Sequence, residues 1–358
     1  MPQRRDVLTG LAATALLPAR AWSAVGSPVA ISAAMRPDGN HILVGLGQDG
    51  SLTFQVSLPA RGHAAAAHPY HAEVVATARR PGTYAVVIDC AQGLITQQLM
   101  APKGRHFYGH ATFSADGAYL FTTENAFETG MGRIGVWDRA QGFQRVDEFS
   151  SGGIGPHEII LLPDGDLAVA NGGIRTHPAS GRDKLNLDTM RSNLTILSAN
   201  GIIVDQAYLP EGHRLNSLRH IAALPDGTIG CGCQWQGDLF KTPALFAVYS
   251  GGSRLDFPEM DEAHLRSLQG YIGSVAHISQ DQFVVTSPRG NSAVVIDSAG
   301  NVQNWYRSHD VCGVAATPRG ETLMSNGGGT IFKLSTDSRL QIAQHDLAFD
   351  NHLVGLYV

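Results

Sequence analysis

The sequence predicts an all-β chain folded as one seven-bladed β-propeller, and three observations carry that expectation. Glycine accounts for 41 of 358 residues while charged residues make up 16% and aromatic residues 7%, a balance that favours turns and strands over surface helices. A short unit of strand, Pro-Asp-Gly-like turn and strand recurs along the chain. The final residues read as a strand with nothing after it, and the N-terminal strands want one more beside them.

The clearest copies begin at a histidine. His110 leads through one strand to Asp116-Gly117, His157 to Pro163-Asp164-Gly165, and His220 to Pro225-Asp226-Gly227. Each anchor stands 6 or 7 residues before its turn aspartate, the length of one short strand. Weaker copies start at His63, Ser274 and Cys312, and a last anchor stands at His352. Successive anchors are 47, 47, 63, 54, 38 and 40 residues apart, near the roughly 40 to 50 residues of a four-stranded blade. The longest interval holds an insert from Ile174 to Arg191, and the next holds a helix expected over Glu259 to Leu268. Third strands end on Asp89, Asp138 and Asp297, as in WD-type repeats.

The seventh unit must be shared between the two ends. Strands expected over Val29 to Met35, His41 to Leu46 and Ser51 to Leu58 lack a partner that His352 to Val358 would supply, so the termini clasp into one blade and close the ring. A pair of β-sandwiches is the competing architecture, but it leaves the repeated anchor and the split blade unexplained.

Ahead of the domain, Arg4-Arg5 precedes an apolar run, Val7 to Leu17, and the small-x-small sequence Ala19-Arg20-Ala21. Residues 1–24 read as a twin-arginine export signal, which assigns residues 25–358 to a periplasmic domain; an ordinary Sec signal is the competing reading. The run covers 11 residues where a membrane span needs about 20, so no span is expected in the mature chain. Lys and Arg total 26 against 31 Asp and Glu, a net charge of -5. No basic run longer than Arg79-Arg80 follows the N-terminus, which excludes a nucleic-acid footprint.

Chemistry is expected where the innermost strands line the channel. His63, His110, His157, His220, Cys312 and His352 would ring one mouth, joined by Ser274, and imidazole with thiolate suits iron, copper or zinc. Twin-arginine export moves folded proteins that often carry a cofactor, which points the same way. WD-type repeats also use a histidine at this position for hydrogen bonds within its own blade, and that role stays open. Loops from second to third strands would bring Glu124, Asn125, Asn171, Gln234, Ser287, Arg289 and Asn326 to the same face. The insert adds His177, Arg182, Lys184 and Asn186, as a lid whose cations face an anionic ligand or as a solvated loop. Cys231 and Cys233 point to one face of a strand, as a soft-metal pair or as two small core residues. Hydrolysis has no specific support, because no nucleophile triad or paired-carboxylate spacing stands out.

The chain resembles a bacterial family of twin-arginine-exported seven-bladed propellers of unknown function. The resemblance runs through Ala78-Arg-Arg-Pro-Gly-Thr83, Gly155-Pro-His-Glu158, Ala170-Asn-Gly-Gly-Ile174, His177 to Asp188, Arg219-His220, Ser287-Pro-Arg-Gly290 and Asp310-Val-Cys-Gly313. Asn291 departs from it, where the family is richer in glycine. Members are often encoded beside imelysin-like and di-haem peroxidase-like periplasmic proteins, so the resemblance implies such partners and a role in iron acquisition. Two function classes follow from these readings. One is a protein that binds a metal or an anionic metal complex; the other is a propeller enzyme, lactonase-like or redox, using the same face.

Overall fold

The computed structural model describes residues 22–78, 82–181, 183–238 and 240–356. Most of the expected leader lies outside the described residues. Trp22, which the sequence reading placed in that leader, is 1% exposed, donates its indole N–H to the His68 carbonyl at 3.1 Å and stacks against Phe54. The packed domain therefore already includes residue 22.

Among the described residues 27 strands form seven antiparallel sheets, six of four strands and one of three. In chain order they are β1 (Ala30–Met35), β2 (His41–Leu46), β3 (Leu52–Ser57), then β4 (Gly62–Ala67), β5 (Glu73–Ala78), β6 (Tyr84–Asp89) and β7 (Leu94–Met100). The next two blades are β8 (Arg105–Phe113), β9 (Tyr119–Ala126), β10 (Met131–Asp138) and β11 (Gln144–Ser150), and β12 (Pro156–Leu161), β13 (Leu167–Asn171), β14 (Asn193–Leu197) and β15 (Ile203–Tyr208). The three-stranded blade is β16 (Asn216–Ala223), β17 (Ile229–Trp235) and β18 (Phe246–Tyr249), where a bridge from Val248 to Asp256 stands in the fourth place. The remaining strands are β19 (Ser274–His277), β20 (Gln282–Ser287), β21 (Ser292–Asp297), β22 (Val302–Arg307), β23 (Val311–Ala316), β24 (Thr322–Asn326), β25 (Thr330–Leu334), β26 (Arg339–Gln344) and β27 (Ala348–Gly355). A short helix, Glu262–Ser267, falls inside the expected helical stretch.

The clasp is present. β27 pairs antiparallel with β1, Ile31 opposite Val354, and completes the sheet β27-β1-β2-β3. The strand starts at Ala348 rather than at His352, so the last anchor sits inside it. Leu353 and Leu356 are buried, and Leu356 donates its backbone N–H to Val29 at 3.0 Å.

Why these sequences form blades is visible in their alternation. Successive side chains of a strand face opposite ways, and a blade is covered on both faces by its neighbours. In β2, Ile42, Val44 and Leu46 pack towards the β23–β26 blade while Leu43 packs towards the β4–β7 blade. In β6, Val86 and Ile88 face one neighbour and Ala85 and Val87 the other. The described core falls into seven clusters, one between each pair of adjacent blades, which leaves no open seam. The turns from first to second strand share one device. Asp38, Asp116, Asp164 and Asp226 each accept a backbone N–H two residues on, and the glycines that follow adopt φ of 85°, 71°, 91° and 88°, a region costly for other residues. Asp89, Asp138 and Asp297 end the third strands by a related device, accepting backbone N–H groups two, three and four residues on, from Ala91, Gln141 and Asn301.

Candidate metal centre

All seven anchors lie in the innermost strands, β4, β8, β12, β16, β19, β23 and β27. Six of those seven strands lose regular register with the next strand out at the anchor or within two residues of it: between Gly62 and Ala65, Phe107 and Ala111, Pro156 and Ile159, Leu218 and His220, Val311 and Val314, and opposite Ser32 to Ala34. A bulge inserts residues that have no cross-strand partner and re-aims their side chains. Here it turns the five histidine anchors into the channel.

Five imidazoles meet there. Ring centroids are 4.7 Å apart for His63 and His352, 5.0 Å for His63 and His110, 4.7 Å for His110 and His157, 4.9 Å for His157 and His220, and 4.6 Å for His110 and His352. Two trios, His63-His110-His352 and His110-His157-His220, each bring their ligand atoms within 4.8 Å of one another. His110, His157, His220 and His352 are buried. The ring therefore lies inside the channel rather than at its mouth, and these side chains contact one another across blades instead of staying within their own.

The hydrogen bonds set the tautomers. His157 Nδ1 lies 3.1 Å from the carbonyl oxygen of Arg219; a carbonyl only accepts, so Nδ1 carries the proton and Nε2 keeps its lone pair. His220 Nδ1 lies 3.3 Å from the Glu158 carboxylate, the arrangement that orients a ligating imidazole. His110 Nδ1 is 3.6 Å from the other Glu158 oxygen, and its Nε2 is buried with no hydrogen-bond partner among the described residues. Burial, followed by the neighbouring imidazoles and Arg219, holds His110 and His157 well below the ordinary imidazole value; burial and then Arg219 bring His220 to about 3. Neutral imidazole is the metal-binding form. Glu158, which also accepts the Ile221 N–H at 2.9 Å, is pushed up to about 7 by burial.

Two cavities flank this layer. One of about 790 Å³ is walled by residues of all seven innermost strands, among them Ala64 to Ala67, and reaches His110, Glu158 and His352. The other, about 580 Å³, is lined by His63, His157, His220 and His352 together with Lys184, Arg219 and Arg289. Gln234 also lines it, and Lys184 comes from the insert, which therefore reaches the channel.

Several expected site residues are structural instead. Glu124 is fully buried inside β9, where Thr122 and Arg145 donate to it at 2.9 and 2.7 Å; the strand runs on to Ala126, so no loop carries this carboxylate to the channel face. Asn171 is fully buried, accepting from Ser151 Oγ at 2.7 Å and donating to the Ser151 carbonyl at 2.8 Å. Asn186 pins the insert by donating to the Gly173 carbonyl and accepting the Arg175 N–H. His177 caps the Pro178–Ser180 turn, its Nδ1 accepting from the Ala179 N–H at 3.1 Å, and packs on Phe127. Cys312 belongs to neither trio; its thiol sits in the core between β23 and β27, directed at the Ser325 and Phe349 carbonyls, and burial pushes it up to about 12. Ser274 Oγ donates to the Val314 carbonyl at 3.5 Å. Cys231 and Cys233 are buried free thiols in an apolar cluster. Arg182 lies outside the described residues.

Glu158 and Arg219 were not singled out as site residues by their sequence. Each neighbours an anchor histidine, and strand alternation alone would aim them away from the channel. The bulges bring both to it.

The fold has solved counterparts. Hydrazine synthase from Kuenenia stuttgartiensis is 14% identical with a TM-score of 0.59, covering 87% of this chain and 95% of that one. A chain of the mitotic checkpoint complex is 10% identical with a TM-score of 0.56, covering 78% of this chain and 75% of that one. At such identities the likeness is one of fold alone. No curated protein matches the chain. Residues 56–356 match the family described as "Protein of unknown function (DUF1513)", and the chain belongs to that family.

Proposed function

We propose that the protein is a metal-binding propeller whose channel histidines hold iron, copper or zinc. The observation that supports it is the convergence of five imidazoles from five blades, at least three of them held neutral, around His110, whose buried Nε2 has no hydrogen-bond partner among the described residues. A buried polar atom left unpaired costs about 1–3 kcal/mol, and a metal ion removes that cost while engaging the lone pairs that the backbone and Glu158 leave on the ring. Three imidazoles with an open position suit these metals. The export signal read from Arg4-Arg5 and Ala19-Arg20-Ala21 supports periplasmic work, with cleavage after Ala21 so that Trp22 stays in the fold. Iron acquisition beside imelysin-like or di-haem proteins is the setting that the family resemblance supports.

The test is elemental analysis of protein purified after native export, followed by calorimetric titration of the metal-free form with each metal. Stoichiometric binding that disappears in the His157→Ala/His220→Ala double variant, with that variant still folded, is the expected result. Failure to take up any of the three would end the reading. Turnover in a parallel lactone and redox-dye panel would move it to an enzyme using the same histidines.

A further inference from the structure

The cavity on the Lys184 side of the histidine layer has a second chemistry that metal binding does not use. Lys184 arrives on the insert, Arg219 from β16 and Arg289 from the turn between β20 and β21, so three blades each contribute one cation to a space of about 580 Å³. Among the described residues no aspartate or glutamate lines it. Burial, followed by Arg219 and Arg289, lowers the Lys184 pKa, so the three cations act on one another across the cavity. Like charges gathered in one cavity repel one another, and a bound anion offsets that repulsion.

The cations are also held in place. Arg289 lies over the Tyr271 ring, 4.4 Å from its centroid, and Arg219 Nε donates to Ser217 Oγ at 2.8 Å. Lys184 sits on an insert that Asn186 fastens at both its oxygen and its nitrogen. Such groups lose little freedom when they bind a ligand.

Resting on the metal reading above, we infer that this cavity binds a small organic polycarboxylate, whose carboxylates pair with Lys184, Arg219 and Arg289 while one reaches the metal held by the histidines. Carboxylate geometry suits the arginine fork, the volume is that of a small-molecule site, and His63, His157, His220 and His352 form its floor. Three cations from three blades match separated carboxylates better than one compact phosphate. The ligand would complete the coordination that a histidine trio leaves open.

Citrate is the probe, with inorganic phosphate as the second arm, titrated calorimetrically into metal-free and dialysed zinc-loaded protein. Zinc affinity measured without citrate reads the histidine layer separately. The expected result is citrate binding that weakens with added salt, is about tenfold tighter than phosphate binding, and drops about tenfold in Lys184→Gln/Arg289→Gln. Both of those side chains are exposed, so the melting temperature of that variant checks the fold. Phosphate binding as tightly as citrate, or citrate affinity unchanged in the variant, overturns the polycarboxylate site and leaves the metal reading standing. Citrate bound through the cations by protein that takes up neither iron, copper nor zinc keeps the site and removes the metal reading instead.

Discussion

The imidazoles of His110 and His352 meet edge to face with centroids 4.6 Å apart, one on β8 and the other on β27, the last of the described strands. The candidate centre and the closure of the ring thus share a residue.

Deleting His352 to Val358 should therefore damage both. It removes half of the strand that closes the clasp, with the buried Leu353, and also the buried Leu356. Burying a leucine is worth about 1.5–3 kcal/mol, and the whole fold of such a domain stands on about 5–15 kcal/mol. Calorimetric melting should show a large drop or no cooperative transition; a truncated chain that melts like the full-length protein contradicts the clasp.

Stability of the metal-free protein should fall with acid. His110 and His157 lie well below 6.5 and His220 near 3, so between those values the unfolded chain binds more protons and the contribution present above pH 6.5 is lost as pH falls. Glu158 runs the other way. Raised to about 7 from an ordinary 4.5, it takes up its proton in the folded state first, so its part of the stability is lost as pH rises from 4.5 to 7. Three imidazoles outweigh one carboxyl. Melting temperature should decline from pH 6.5 to 4.5, and Glu158→Gln should steepen the decline; a flat profile across that window counts against neutral channel histidines.

Gly109 should be intolerant of a side chain. Its φ is 103°, and an added Cβ would run into the imidazole of His63. Gly109→Ala should weaken zinc binding about tenfold, equivalent to about 1.4 kcal/mol, by displacing that ring, and add about 1–2 kcal/mol of backbone strain. Titration calorimetry with a urea melt separates the two effects. Wild-type affinity in the variant would show that His63 is dispensable.

Arg145→Ala tests the structural assignment of Glu124. The change leaves a fully buried carboxylate without the guanidinium 2.7 Å away, at a cost of about 3–5 kcal/mol. Chemical denaturation should show that loss while metal content stays at the wild-type level. A fall in metal content with unchanged stability would return Glu124 to the site.

The blades were legible because their signals are local. An anchor, a strand of fixed length and an Asp-Gly turn repeat with the same physics each time, and the unmatched strands at either end could be satisfied only by each other. The histidines were legible for the same reason. What the pattern could not carry was direction. Glu124 and Asn171 look like loop residues until β9 and β13 prove to extend through them, and Glu158 looks outward-facing until the bulge at His157 turns it. Asn291 shows the opposite case: expected to stand where a glycine would serve, it holds φ at 51°, a conformation asparagine tolerates better than most residues, and its Oδ1 accepts the Asp310 N–H at 2.7 Å.

The split blade also sets a timetable. While the end of β27 is still inside the ribosome, the earlier blades can form, yet His352 is missing and β1 has an unpaired edge. Only once β27 has emerged and paired with β1 does the fifth imidazole join the other four. A chain without β27 would thus be an open arc short of one imidazole, and under the proposed metal reading a loaded centre would report a closed ring.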